Sequence, residues 1–565
     1  MVQGFARTGT GAVTTRSAAG GVTPRARWRG YVRCLVGLAV GVAGLVLSAC
    51  GGGTADQAAG QHGLPRSLTV AISYPLTSLD ETSPSGGVMP IQLLVNDQLE
   101  LSGRACKLIP QLATSVSYPN STTVVFHLRK GVRFSNGDPL TAGDVAWTIA
   151  RAYGVGSVLK AYLPTYKSVS VIGPQEVALH LTKPTPAVVC TVSFALSVGS
   201  KKYGLRHGKD YGTPTAPPIG TGPYKVAKFD ADGVTLVRNP YYWGPKPPMQ
   251  TIRFVNIADD NTAQLAMRSN QIQADWGIGN PQTLGAWKAI PGATVAEAQG
   301  AIGTYVSMDV TKAPFNDIHV RKAVAYAVDR KGLANSIAPG YATPLRGIST
   351  AEGFESVAPS HEAAQQLLDS LPQYDFDLAK AKAELAQSAY PHGFTMRLPY
   401  LPTNSSSELT ALNLKQNLQS IGIKVQLKAL PAAQFYTESG MLSAHPGMQI
   451  AFGGTTIPED PNGGLACVIG KANAADQRAN GASGCNTANF YPANVERAWD
   501  QMTGSVDNAT RWQGVQTTLR AIATEVPYVP ILNLPQLVVL GNGLSFNGPV
   551  DVTAMFNNQW IYKLR

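Results

Sequence analysis

The residue patterns that mark enzymes and metalloproteins are missing from this 565-residue chain. No two of its six cysteines stand two residues apart, which removes C-x-x-C zinc and thioredoxin-type chemistry. His361-Glu362-Ala363-Ala364-Gln365 stops short of a zinc-protease helix, because Gln365 occupies the second histidine position and would leave a metal one ligand short. Gly481-Ala482-Ser483-Gly484-Cys485 fails as a nucleophile elbow, with Cys485 where a glycine is needed. Gly220-Thr221-Gly222 and Gly541-Asn542-Gly543 lack the third glycine of a dinucleotide loop, and no phosphate-cradling P-loop is present. The eight histidines are scattered without ligand-like pairs, and the adjacent acids Glu459-Asp460 lie in a Pro/Gly loop, where carboxylates are expected to be solvated. The expectation is a protein that is not an enzyme and has no cofactor and no metal site.

Acidic residues are also absent from the first 49 positions, which carry six arginines, Arg7, Arg16, Arg25, Arg27, Arg29 and Arg33. An apolar run from Leu35 to Leu47 follows, too short to cross a bilayer of about 30 Å as an ordinary helix, so it reads as the core of a signal peptide. It ends in Leu47-Ser48-Ala49-Cys50, which resembles a bacterial lipobox: cleavage would leave Cys50 first, ready for lipidation. The expected order is a signal peptide over 1–49 and a flexible Gly-rich linker over 50–65. Without the six leader arginines the formal excess of positive charge falls from +11 to +5. That balance, with no basic stripe carrying interleaved aromatics, argues against a nucleic-acid partner.

Four cysteines remain in the exported part, Cys106, Cys190, Cys467 and Cys485. An even number outside the cell suits two disulfides, although four buried free thiols would also fit. Three connectivities are open, and the shared Gly/Asn-rich loop favours Cys467 with Cys485.

About 500 mature residues exceed one core and imply two or three domains. Leu68 to Ile72 reads as a strand, followed by the turn-rich Thr77-Ser78-Leu79-Asp80. Val124, Phe126 and Leu128 alternate with Val125 and His127 as in a half-buried strand, Asn136-Gly137 marks a tight turn, and Thr141 and Asp144 stand near capping-box spacing before a helix bearing Val145, Ile149 and Ala152. Asp317 is placed to cap a helix whose apolar positions are Val320, Ala323, Val324, Ala327 and Val328. A second helix is expected from Asp377 to Ala389. The strand Phe394–Leu401, a helix after Asn404 and a strand at Ile423, Val425 and Leu427 form a βαβ unit, hence a locally parallel pair. No internal repeat is seen.

Four stretches in order, His127–Val145 (HLRKGVRFSNGDPLTAGDV), Pro218–Val226 (PIGTGPYKV), Leu236–Pro247 (LVRNPYYWGPKP) and Ala313–Arg330 (APFNDIHVRKAVAYAVDR), resemble the family 5 extracellular solute-binding proteins, the peptide, dipeptide and nickel receptors of ABC importers. Weaker echoes are Leu79-Asp80, Ile421–Val425 and Val526–Pro530. The resemblance implies an α/β fold of the two-lobed, class II periplasmic-binding-protein type, with an extra subdomain on the first lobe. The expected division is lobe I over 66–303 with an insertion at about 95–210, lobe II over 304–528 and a return to lobe I over 529–565, with crossings near Gly303 and Tyr528. It further implies a monomeric trap that closes on a peptide or related small solute and is read by ABC permease subunits.

Peptide receptors of this family often set an Asp, in a Trp-Gly-Ala-Asp-Tyr-like stretch, against the ligand's amino terminus. The matching stretch here is Phe452-Gly453-Gly454-Thr455-Thr456, with Thr455 at the carboxylate position. A charge-assisted hydrogen bond is roughly twice as strong as a neutral one, so this departure is expected to relax selection for a free amino terminus, with Glu459 or Asp460 as substitutes for the missing charge. Tyr74 and Trp276 are the expected aromatic walls of the cleft. Non-peptide cargo such as sugars or nickel complexes, and a lipid-anchored sensor or chaperone without a permease, are the alternatives on the same scaffold.

Overall fold

The protein is described here from a computed structural model, for residues 64–565 apart from 74, 83–87, 155–158, 160–162, 164, 278–279, 403, 432–433, 436–446, 454–459, 477–484, 549 and 551–556. Strand Ser67–Ile72 lies between two parallel neighbours, Thr251–Asn256 and Ala274–Trp276. Its Leu68, Val70 and Ile72 point into one apolar core and Ala71 into another, as a strand covered on both faces requires. Antiparallel strands Gly233–Arg238 and Tyr224–Asp230 widen the sheet on one side.

On the other side, two long strands run from this core into a second one. Tyr528–Leu540 pairs with Ala274–Trp276 near its end, where Trp276 faces Val538, and pairs antiparallel with Thr294–Met308 along most of its length. Ala298, Val538 and Leu540 belong to the first core, whereas Val306, Met308, Val529, Ile531 and Leu532 belong to a second one. Strand Met448–Gly453 completes the far edge, so one nine-stranded sheet serves both lobes.

A separate four-stranded antiparallel sheet, in the order Ala113–Asn120, Thr123–Leu128, Glu176–Leu181, Tyr166–Gly173, builds its own core from Phe126, Phe134, Val145, Ile149 and Leu179 under helix Ala142–Gly154. Gly137, at φ +90°, makes the tight turn at Asn136-Gly137. Asp144 accepts from the Thr141 amide at 2.9 Å and its hydroxyl at 2.6 Å, one arm of a capping box.

In the second lobe, Thr395–Tyr400 and Lys424–Ala429 pair in parallel across helix Ser405–Ser420, as the βαβ reading requires. Asn404 caps that helix at Ser407 N, 2.8 Å. Asp317 caps Ile318–Tyr326 and Asp377 caps Leu378–Gln387 in the same way, through the amides of His319 and Lys380. Helices Ala493–Gly504 and Asn508–Glu525 cover a further apolar cluster with Trp499, Trp512 and Phe354.

Two glycine-containing stretches singled out in the sequence meet at one buried carboxylate. Asp97 accepts from Thr221 Oγ1 at 3.0 Å, Trp243 Nε1 at 2.8 Å and Asn558 Nδ2 at 3.3 Å. Burial pushes its pKa up to about 6 against the lowering effect of the Trp243 and Thr221 bonds and the charge of Arg129. The approach is possible because Gly220 and Gly222 lack side chains: a Cβ on Gly220 would lie 1.9 Å from Val95 O, and one on Gly222 2.7 Å from Leu94 O. Cys106 is joined to Cys190 and Cys467 to Cys485, with Cα separations of 5.6 and 4.7 Å.

Candidate functional site

The parallel strands of the first lobe fix where a ligand crevice belongs. In open α/β sheets ligands bind beyond the carboxyl ends of the strands, here past Ile72, Asn256 and Trp276. Asp275, one residue before that edge, is 4% exposed, and burial together with the negative charge of Asp260 raises its pKa well above the ordinary carboxylate range. Asp260 in turn accepts from the Asn280 amide at 2.9 Å and Thr283 Oγ1 at 2.7 Å, tying the loop beyond the edge to helix Asp260–Arg268. Asp275 lies between the buried Ala274 and Trp276 in a strand too short to be read from sequence, so only the fold reveals a buried acid there, a placement rare without a purpose.

Of the expected aromatic walls, Trp276 sits in the first core at 6% exposure, its ring 4.6 Å from that of Trp560, and Tyr74 lies outside the described residues. Phe452 and Gly453 end the edge strand, opposite Thr304 and Gly303. They therefore stand beside strand Thr294–Met308, between its residues of the first core and those of the second. Gly454, Thr455, Thr456 and Glu459 lie outside the described residues, as does Cys50.

Asp460 requires a correction. It is not a solvated loop acid, nor is it available to receive an ammonium group. It is 2% exposed, accepts from Arg511 Nη2 at 2.8 and 2.7 Å and from Ser356 Oγ at 3.1 Å, and caps helix Pro461–Ala466 at Asn462 N. Arg511, itself buried, also donates to Met502 O at 2.9 Å. Both oxygens of Asp460 are thus engaged inside the second lobe, and removing one partner of such a buried pair would be costly.

His361 opens helix His361–Ser370 and its Nδ1 lies 2.7 Å from Glu355 Oε1, a pairing with a neighbouring acid and not a metal site. Among the described residues no cluster of three or more His, Cys, Asp or Glu side chains is arranged to hold a metal ion, and no helix is long and apolar enough to cross a membrane.

First-lobe and second-lobe residues meet at several points. Arg104 donates through Nε and Nη2 to both carboxylate oxygens of Glu355, at 2.8 and 2.6 Å. Lys183 reaches Asp500 at 2.6 Å, and Gln282 Nε2 donates to Ser336 O at 2.9 Å.

Comparison with known proteins agrees with this architecture. Glutathione-binding protein GsiB of Salmonella choleraesuis is 30% identical over 318 residues, covering 55% of this chain and 59% of that relative, and GsiB of Escherichia coli K12 is 29% identical over the same span. The match thus spans about three fifths of the length of these curated relatives. Among solved structures, AgaA of A. tumefacien R10 in complex with agropinic acid superposes with a TM-score of 0.74 at 21% identity, covering 88% of this chain and 98% of AgaA. NikZ of Campylobacter jejuni in complex with Ni(L-His) gives 0.73 at 19%, covering 89% and 100%, and DppA of Helicobacter pylori in complex with the peptide STSA gives 0.73 at 21%, covering 88% and 97%. These likenesses establish the two-lobed, class II binding-protein fold. The relatives are named as binding proteins and not as enzymes, and residues 107–474 match the family described as bacterial extracellular solute-binding proteins, family 5 Middle. The chain belongs to the family 5 bacterial extracellular solute-binding proteins.

Proposed function

We propose that this protein is the lipid-anchored receptor of an ABC importer, capturing a peptide-class or related small solute between its lobes and presenting it to a membrane permease. The observation that carries this reading is the family match over 107–474 on a fold whose two lobes are joined by a pair of shared strands. The Leu47-Ser48-Ala49-Cys50 sequence supports the anchor, and two acyl chains on Cys50 would give stable attachment where a single chain gives only marginal binding. Relatives and structural neighbours are named for or solved with glutathione, the peptide STSA, Ni(L-His) and agropinic acid, a range that supports a small polar cargo. Thr455 in place of an acid, and Asp460 committed to Arg511, support a cargo whose amino terminus is modified or absent.

Gentle purification of the full chain followed by native mass spectrometry tests the class: a retained peptide or small solute is expected, and a protein that never carries one argues against a receptor. Peptides with free and acetylated amino termini should bind within a fewfold of each other; a large preference for the free amine would refute the relaxed-terminus reading. Cys50→Ala should bind solute normally yet support uptake poorly, and unchanged uptake would remove the anchor from the mechanism.

A further inference from the structure

We propose that Arg104 and Glu355 form a latch between the first-lobe subdomain and the second lobe, braced from beneath by the Cys106–Cys190 disulfide. Two of the three residues of the Arg104–Cys106 turn hold left-handed backbone angles without being glycine, Ala105 at φ +53° and Cys106 at φ +58°. L-residues visit this region rarely and persist there only where surrounding structure compels it. Cys106 is tied across 84 residues to Cys190, which is buried on the helix Val188–Ala195 and lies 3.3 Å from Ser102 Oγ.

The consequence of that fixed turn is the placement of Arg104. Its turn lies against the turn Ala351–Phe354 of the second lobe, and Arg104 engages both oxygens of Glu355, 251 residues away in sequence. A planar guanidinium meeting a carboxylate through two parallel bonds is the most orientation-selective ion pair available to a protein. Glu355 is ready to receive it: its side chain is 12% exposed, Arg104 first and His361 next hold its carboxyl below the usual range, and His361 Nδ1 fixes Oε1 from the second lobe's own side. The arginine is the exposed, separable half at 61% exposure. The two lobes can therefore part at this pair without leaving a deeply buried charge, as a reversible latch requires. The inference concerns the lobes themselves and stands whatever solute the cleft accepts.

The test is the opening of the full chain with no solute added, read by small-angle X-ray scattering and by amide hydrogen exchange over 351–361. Arg104→Ala and Glu355→Ala should each raise the ratio of separated to closed lobes by about 1.5-fold to fivefold, the range of an exposed ion pair. The double variant should open no further than either single one. Raising sodium chloride from low to high concentration should open the wild type by a similar factor and add nothing to the single variants. Replacing both Cys106 and Cys190 by alanine should reproduce the Arg104→Ala opening, and combining all three changes should add nothing. Unchanged scattering in the single variants at low salt, or effects that add in the double variant, would overturn the latch. Opening by the cysteine variant that adds to that of Arg104→Ala would overturn the bracing role.

Discussion

Replacing Asp97 by asparagine should change how the stability of the first lobe responds to pH. The carboxyl pKa of Asp97 is raised from 3.8 to about 6 by burial in the folded protein. A group whose folded pKa is raised contributes stability that is complete below the unfolded value and is lost as pH climbs through the folded value. Two units correspond to about 3 kcal/mol in full, and integrating between pH 4 and pH 8 gives a loss of about 2 kcal/mol. An asparagine keeps the shape, accepts through one oxygen from Thr221, Trp243 or Asn558, and carries no charge at any pH. Urea unfolding of both proteins at unit steps from pH 4 to 8 should show the variant gaining on the wild type by about 2 kcal/mol across that window. Asp97→Ala should instead be destabilised by at least about 3 kcal/mol at every pH, because several buried donors lose their acceptor together. A stability difference between Asp97→Asn and wild type that stays constant with pH, or moves against the variant, would refute the assignment of a burial-raised carboxyl.

Other expectations follow from the same packing. Arg511→Met leaves Asp460 as an unpaired buried charge and should cost about 3–5 kcal/mol, much of it recovered when Asp460 is made asparagine as well; denaturant midpoints measure both. Gly220→Ala would push a methyl group into Val95 O and should cost upwards of about 3 kcal/mol, whereas Gly143→Ala, with only Thr141 Oγ1 at 3.4 Å, should be neutral or stabilising by a few tenths to about 1 kcal/mol in a thermal melt. Removing the Cys106–Cys190 bridge should cost more than removing Cys467–Cys485, about 4.5 against about 3 kcal/mol from the loop lengths closed, as calorimetry under matched conditions would show.

What the sequence disclosed was local. The caps at Asp317, Asp377 and Asn404 lie within three residues of the amides they satisfy, and the parallel pair around helix Ser405–Ser420 is a single contiguous unit, so periodicity and capping chemistry identify them. Contacts at long range left no such trace. Asp97 meets partners 124, 146 and 461 residues away. Asp460 looks like a loop acid because nothing near it in sequence announces Arg511, 51 residues on. Strand Ala274–Trp276, three residues long, is shorter than any periodicity can register, yet it joins the first-lobe strands to the long pair. Two of the family motifs, conspicuous as words, supply Thr221 and Trp243 to one buried carboxylate that also binds Asn558 just ahead of helix Trp560–Lys563.

The two long strands Thr294–Met308 and Tyr528–Leu540 also determine how the molecule can be divided. Each contributes one end to the first core and the other end to the second. A boundary drawn through them would remove from each lobe a strand that fills its interior, so neither half is expected to survive expression alone. Limited proteolysis should accordingly trim surface loops and leave this ribbon intact, and unfolding that begins in one lobe should pull directly on the hydrogen-bond ladder of the other.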